Sequence, residues 1–130
     1  MKLVFIRSDQ TLIVEHDDGT ATPYECRSDF FPGHNEAGQP RESLPIGDYV
    51  VSAEEPPAEN NACYGTFYIT TGDPRGRDIH GGGSDLDDPY APRQGWEGTY
   101  GCLRMQNEDG EALSRLIIDA GNSVELEVRE

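Results

Sequence analysis

Basic residues are scarce in this sequence. One lysine, Lys2, and nine arginines stand against 25 acidic residues, which gives a formal net charge of −15 and an isoelectric point near 4.3. A protein that binds nucleic acid through its phosphates needs a basic face, and so few cations do not supply one. We therefore exclude nucleic acid as a partner and expect an acidic, solvated surface, which is also compatible with a substrate that carries free amines.

Long hydrophobic runs are absent. The N-terminal segment MKLVFIRSDQ holds four consecutive apolar residues before Arg7. Such a run is too short for the core of a signal peptide or for a transmembrane helix. We expect no membrane span, and three alternatives stay open: work in the cytoplasm, export by a route that reads no such signal, or a targeting segment outside this sequence.

Cysteine is also rare, with three in 130 residues. Cys26 and Cys63 can pair and leave Cys102 free, but the sequence leaves that pairing open and is compatible with either redox compartment. No Cys-x-x-Cys or His-x-x-x-His spacing occurs, so we expect no metal and no cofactor. The glycine run 81–83 is not followed by lysine and a helix, which excludes a phosphate-binding loop.

The length and the residue pattern predict one domain over residues 1–130 that is mostly β. Hydrophobic content is 35%, and 15 glycines and 9 prolines favour short strands joined by loops. Alternating and β-branched segments predict strands at 3–6, 11–14, 20–26, 64–71 and 124–128. A turn that leads into a strand is predicted at 44–51, with a short approach at 77–80 and a loop at 54–61. Asn107 is expected to cap a single helix that ends at Gly121.

Two residues point to thiol chemistry. Cys102 follows Gly101 in a turn, and His80 stands at the end of a predicted strand. A thiolate is the nucleophile of cysteine enzymes, and a neighbouring imidazole removes the thiol proton and later returns it. Gly101 permits a tight turn in which backbone N–H groups face a developing oxyanion. The residues alone leave open whether Cys102 is catalytic or a buried structural thiol.

The motif around these residues resembles that of the L,D-transpeptidase catalytic domain, the YkuD-type domain. The similar segments are His80-Gly81, Thr99-Tyr100-Gly101-Cys102-Leu103-Arg104, the strand segment 44–51, the helix 107–118 and the last strand from Gly121. The resemblance covers residues 44–128. Tyr100 stands where the family often has a second histidine. The resemblance implies a YkuD-like β-sandwich or mixed sheet with one helix after the cysteine.

The resemblance implies that Cys102 attacks a stem tetrapeptide of peptidoglycan, with His80 as base and a backbone carbonyl to orient the imidazole. An amine or water then resolves the thioester, which makes the chain an L,D-transpeptidase, an L,D-carboxypeptidase or both. The alternatives are a thiol peptidase or amidase of the cell wall and a non-catalytic binding module. The domain also resembles secreted wall-targeting toxins and phage-encoded relatives, which implies an immunity protein for a toxin and action in the periplasm or at the wall.

Further residues near the motif are expected to serve the site. Gly101 and Tyr100 belong to the oxyanion turn, and the substrate-binding candidates are Gly81, Tyr90, Trp96, Thr99 and Arg104. Thr99 either bonds the substrate or the region of His80, or is an ordinary strand residue. Tyr90 and Trp96 either close over the peptide as a lid or anchor the long loop 81–98.

The charged residues near the motif have alternative roles as well. Arg104 either grips a substrate carboxylate or braces the loop, and bracing is favoured. Asp78 and Asp85 are close to His80 in sequence but are expected to be solvated. The sequence does not give the oligomeric state.

Overall fold

The fold is a ring of strands with one helix packed against it. The computed structural model describes residues 1–57 and 61–130. The predicted loop at 54–61 therefore lies partly outside the described residues. In the described ranges the elements are β1 Lys2–Ile6, β2 Thr11–Glu15, β3 Ala21–Arg27, β4 Gly47–Ala53, β5 Tyr68–Thr70, β6 Ile79–His80, β7 Leu103–Met105, α1 Asn107–Asp119 and β8 Val124–Arg129.

The strands close on themselves in the order β1-β2-β3-β7-β6-β5-β4-β8. Most neighbouring strands are antiparallel, whereas β1 with β8 and β6 with β7 run parallel. A closed ring leaves few unpaired strand edges, which suits a chain built from short strands. The predicted mostly-β fold with a mixed sheet and one helix is confirmed.

The core lies inside the ring and beneath the helix. Alternate residues of β8 are buried (Val124, Leu126 and Val128) as their spacing predicts. Helix α1 buries Leu113 and Ile117 and packs mainly on β4. No helix in the described part of the chain has the length and apolar character needed to cross a membrane.

The start of the helix differs from the prediction. Gln106, rather than Asn107, occupies the N-cap position, and it makes no capping bond through its side chain. The Asn107 side chain instead donates to the carbonyl oxygens of Pro89 (2.9 Å) and Ala91 (2.8 Å). Asn107 is buried, and its side-chain amide supplies the hydrogen bonds that these two loop carbonyls need. The side chain therefore fixes the long loop and does not cap the helix.

Two strands also differ from the prediction. β5 is limited to Tyr68–Thr70, because residues 61–65 form a turn closed by the Gly65 N–H on the Asn61 carbonyl oxygen (2.7 Å). β7 was not predicted as a strand. All three of its residues are buried, so it lacks the alternation that marks a half-exposed strand.

The three cysteines are free thiols. Cys26 is buried in the core on β3, whereas Cys63 is exposed in the 61–65 turn. The Cys26–Cys63 pairing that the sequence left open is therefore not formed. Cys102 is partly exposed and immediately precedes β7.

Candidate active site

The parallel pair β6–β7 brings Cys102 and His80 to one face of the sheet. His80 is in register with Arg104, and the Leu103 N–H donates to the Asp78 carbonyl oxygen (2.9 Å). Side chains alternate along a strand, so Cys102 and Arg104, two residues apart, share the face of His80. Both Cys102 and His80 line one cleft of about 290 Å³.

The imidazole of His80 is almost completely buried. Its Nδ1 lies 2.9 Å from the carbonyl oxygen of Gly81, an acceptor, so Nδ1 carries the proton and Nε2 is left as the base. This is the backbone carbonyl that the resemblance implied. The ring stacks on Tyr68 and meets Tyr64 edge to face, with centroids 6.1 and 5.0 Å apart. Burial lowers the pKa of His80 to about 4, and the positive charge of Arg104 acts in the same direction.

The thiol of Cys102 also lies in a largely desolvated position. Its Sγ is 3.7 Å from the Gly76 carbonyl oxygen. Burial raises the pKa of the Cys102 thiol, while a hydrogen bond from the Asp78 backbone N–H acts against that rise. Cys102 and His80 are therefore a neutral thiol and a neutral imidazole at pH 7.

The turn before Cys102 is closed by Thr99. The Thr99 hydroxyl donates to the Cys102 carbonyl oxygen (2.8 Å) and accepts from the Gly101 N–H (3.0 Å). Gly101 has a φ of 131°, a conformation that side chains rarely adopt. Thr99 thus shapes the turn and does not bond His80. The Gly101 N–H, predicted as an oxyanion donor, is engaged inside the turn by Thr99.

The glycine run after His80 packs against the 61–65 turn. The Gly81 N–H donates to the Tyr64 carbonyl oxygen (2.9 Å), and the Gly83 N–H donates to that of Ala62 (2.7 Å). Gly82 has a φ of 69°, and a Cβ there would come within 2.6 Å of the Ala62 carbonyl oxygen. The run is needed for this close backbone contact. Gly81 is buried, and its carbonyl oxygen holds Nδ1 of His80. Its predicted contact with substrate stays a prediction.

Arg104 braces the loops around the site, which is the role that the sequence favours for it. Its guanidinium donates to four backbone carbonyl oxygens, those of Gly81 (3.2 Å), Glu97 (2.6 Å), Gly98 (3.2 Å) and Cys63 (3.0 Å). Only 3% of the residue is exposed, and burial lowers its pKa. These contacts hold the 61–65 turn, the glycine run and the end of the long loop together.

Asp78 is buried rather than solvated, contrary to the prediction. Its carboxylate accepts from the Tyr68 hydroxyl (2.7 Å) and from the Thr71 N–H (2.9 Å). Burial, followed by the hydrogen bond to Asp78, raises the pKa of Tyr68. Because Tyr68 stacks on His80, this bond fixes the wall of the imidazole site. Asp85 is exposed, as predicted.

Aromatic and basic side chains form the rest of the cleft. Tyr100, 69% exposed, lies against the ring of Phe31 and beneath the guanidinium of Arg41, 4.3 Å from its ring centre. Phe31, Arg75 and Arg77 also line the cleft. The sequence does not identify these three residues or Tyr68 as parts of the site. A spacing of four residues favours ion pairs on a helix, but residues 73–77 are not helical, so no sequence pattern predicts the Asp73–Arg77 ion pair.

Trp96 and Tyr90 do not line this cleft, so the alternative of a lid over Cys102 is not supported. Trp96 packs under the Arg27 guanidinium, 4.8 Å from the ring centre, which anchors the long loop to β3. In the described part of the chain, no three His, Cys, Asp or Glu side chains cluster in a way that would hold a metal ion.

The buried histidine predicts a pH-dependent stability. The folded pKa of His80 is about 4 and the ordinary value is 6.5, so the unfolded chain binds the proton more readily. The resulting stability is fully present above pH 6.5 and is lost as pH falls towards 4, a change of about 3 kcal/mol. Carboxylates such as Asp73, whose pKa the Arg77 side chain lowers, add a loss that both proteins share. We therefore expect urea unfolding at several pH values to show a larger loss in wild type than in His80→Gln. Equal losses in both proteins would contradict the assignment.

Comparisons with known proteins place the fold. No protein-family model and no curated protein matches the chain. In three dimensions the chain is similar to the crystal structure of the L,D-transpeptidase (residues 123–326) from Xylanimonas cellulosilytica DSM 15894, with a TM-score of 0.54 and 16% sequence identity. The match covers 97% of this chain and 58% of that one, so this chain spans a little over half its length. At this identity the likeness shows a shared fold.

Proposed function

We propose that this chain is a cysteine acyltransferase or hydrolase that acts on the stem peptides of peptidoglycan through a thioester on Cys102. The observation that carries the proposal is the placement of Cys102 and His80 on one face of two paired strands, with Nδ1 of His80 held by the Gly81 carbonyl. The likeness of the whole fold to an L,D-transpeptidase supports the substrate class. The motif around Cys102 supports the same reaction.

The first half of the reaction forms the thioester. Cys102 Sγ attacks the carbonyl carbon of the third stem residue while Nε2 of His80 takes the thiol proton. The carbonyl oxygen becomes an oxyanion, which the Cys102 N–H stabilises. The C–N bond then breaks, His80 returns the proton to the leaving amine, and the terminal D-alanine departs. The enzyme is left with a thioester and a neutral imidazole.

The second half of the reaction resolves the thioester. A neutral amine of a second stem, or water, attacks the thioester carbonyl, and His80 Nε2 takes its proton as the new bond forms. Collapse of the new tetrahedral intermediate returns the proton to the Cys102 sulfur. The amine gives a 3–3 crosslink and water gives a shortened stem, so transfer and hydrolysis differ only in this acceptor.

The neutral state of the pair sets the timing of proton transfer. The pKa of His80 is about 4 and that of Cys102 is raised, so a preformed thiolate–imidazolium pair is not favoured in the free protein. The thiol is therefore deprotonated as it attacks, when a substrate is bound and charge develops on the oxyanion. This mode requires the imidazole to be held in one tautomer, which the bond to Gly81 does.

The test is mass spectrometry of purified tetrapeptide muropeptides incubated with the wild-type protein. Loss of the terminal alanine establishes hydrolysis, and dimers establish transfer. The protein itself is expected to gain the mass of the acyl group when the reaction is quenched early. The matched control is Cys102→Ala, which has no nucleophile.

Other outcomes would change the assignment. Cleavage elsewhere in the wall peptide, still dependent on Cys102, would favour a thiol peptidase or amidase. No product and no acyl-enzyme, together with a Cys102 thiol that resists alkylation, would favour a binding module and reject the proposed chemistry. Because Cys63 is exposed, the alkylation is measured in a Cys63→Ser protein so that the label reports on Cys102.

A further inference from the structure

Two arginines lie directly beside the proposed nucleophile. Arg75 and Arg77 line the same cleft as Cys102. The stem of Arg77 packs against Gly101, where a Cβ would come within 2.8 Å of the Arg77 Cδ. The carbonyl oxygen of Gly76, between the two arginines, lies 3.7 Å from Cys102 Sγ. The segment that carries both cations therefore forms the wall of the cleft next to the thiol.

The guanidinium of Arg77 has a donor that is not used. Its Nε and Nη2 bind the two oxygens of Asp73 at 2.7 and 3.0 Å. Only 6% of Arg77 is exposed. Its Nη1 is buried and has no hydrogen-bond partner among the residues that the structure describes. A buried N–H without an acceptor destabilises the structure that holds it. Such a donor at a cleft wall indicates a position for a ligand acceptor.

A carboxylate of the chain itself already lies near this position. One oxygen of Glu42 is 3.3 Å from Arg75 Nη1 and 3.7 Å from Arg77 Nη1. The second distance is too long for a hydrogen bond. The Glu42 side chain is 61% exposed, so it can move into solvent. Glu42 therefore occupies the space between the two arginines without satisfying the buried donor.

We propose that Arg75 and Arg77 form a carboxylate-binding subsite beside Cys102, which Glu42 occupies in the free protein and a substrate carboxylate takes on binding. The inference rests on the proposed function and deepens it. A carboxylate one residue beyond the reacting carbonyl lies within about 4 Å of it, which fits a subsite next to the thiol. Each guanidinium offers its Nη1 to that group, because Nε and Nη2 of Arg77 bind Asp73 and Nη2 of Arg75 donates to the Pro40 carbonyl oxygen.

Charge elsewhere in the chain supports an anionic ligand here. The net charge is −15, yet three of the nine arginines (Arg75, Arg77 and Arg104) line this cleft. The Arg104 guanidinium is engaged by four backbone carbonyls. Arg75 and Arg77 are therefore the cations of the cleft that can meet a carboxylate.

The test compares binding of a stem tetrapeptide with a free C-terminal carboxylate and of the same peptide with a C-terminal amide. Calorimetry uses Cys102→Ala protein, so that binding is measured without turnover. We expect the acid to bind about tenfold more tightly than the amide. Arg75→Gln in this background is expected to remove most of that preference, and Glu42→Gln to increase it, with little effect on the amide.

The controls separate this subsite from the proposed reaction. Arg115→Gln removes a cation of the helix that does not line the cleft, and it should leave the preference unchanged. Arg77 is not replaced, because its loss would leave the buried carboxylate of Asp73 unpaired. Equal binding of acid and amide in every variant, or no binding of either, would overturn the subsite. A preference that depends on Arg75 and Glu42 supports it even if wild type yields no product, a result that counts against the reaction alone.

Discussion

Cys102→Ala is expected to abolish acyl-enzyme formation and product release, with a fall in kcat/KM of about 10⁴-fold or more. Cys26 is buried in the core and cannot reach a substrate, whereas Cys63, in the 61–65 turn, lines the same cleft and is the other thiol that has to be excluded. The measurement is the rate of alanine release from tetrapeptide muropeptides, together with the intact mass of the protein.

The fold is expected to survive this substitution. Cys102 is partly exposed, and its sulfur meets two backbone groups, the Gly76 carbonyl oxygen at 3.7 Å and the Asp78 N–H. Removal of that sulfur should change the free energy of unfolding by less than about 1 kcal/mol. A comparison with Cys63→Ser, expected to keep full activity, shows whether the loss belongs to this thiol. Substantial turnover by a well-folded Cys102→Ala protein would exclude the covalent mechanism.

Arg104→Met is expected to destabilise the protein by about 3–5 kcal/mol and to remove activity. The substitution keeps an apolar stem of similar length but leaves the carbonyl oxygens of Glu97, Gly98 and Cys63 without this donor. The carbonyl oxygen of Gly81 loses one of two donors and keeps His80 Nδ1. These carbonyls belong to the three segments that surround His80, so the loss should loosen the site as well as the fold. Urea unfolding at pH 7 measures the change, with near-ultraviolet circular dichroism as a report on side-chain packing.

Two further variants test the reason for this effect. Arg104→Lys keeps the charge but cannot span four carbonyls, so it should remain clearly destabilised. Arg115→Met removes a half-exposed arginine paired with Glu55, and it should change the free energy of unfolding by less than about 0.5 kcal/mol. If Arg104→Lys were as stable as wild type, the positive charge alone would account for the role of Arg104. The hydrogen bonds to several carbonyls would then not be needed for stability.

Strands with one solvated face could be predicted from the sequence because their burial alternates. Val124, Leu126 and Val128 face the core and their neighbours face outwards, so β8 was located within a residue at each end. The helix was located for the same reason, from its apolar face. β7 lies between β3 and β6 and is buried throughout, so its three residues carry no period to detect.

The pair at the centre of the site was identified from a local motif, whereas its surroundings depend on contacts distant in sequence. Asp78 has the charge of a surface residue, but Tyr68 and Thr71 supply donors that make its burial tolerable. Arg77 meets Gly101 only after the chain has passed through the long loop. No spacing in the sequence predicts these contacts, since each depends on how the ring of strands closes.

The parallel pair of β1 with β8 also has a consequence for folding kinetics. Its register joins Lys2 to Glu125, which are far apart in the chain, so the ring cannot close until the last strand has been synthesised. Such non-local pairing raises the contact order and slows folding. A nascent chain that stops before β8 would present the edges of β1 and β4 without their shared partner. Unpaired edges of this kind promote aggregation. We therefore expect ribosome-bound chains to require a chaperone until β8 has emerged.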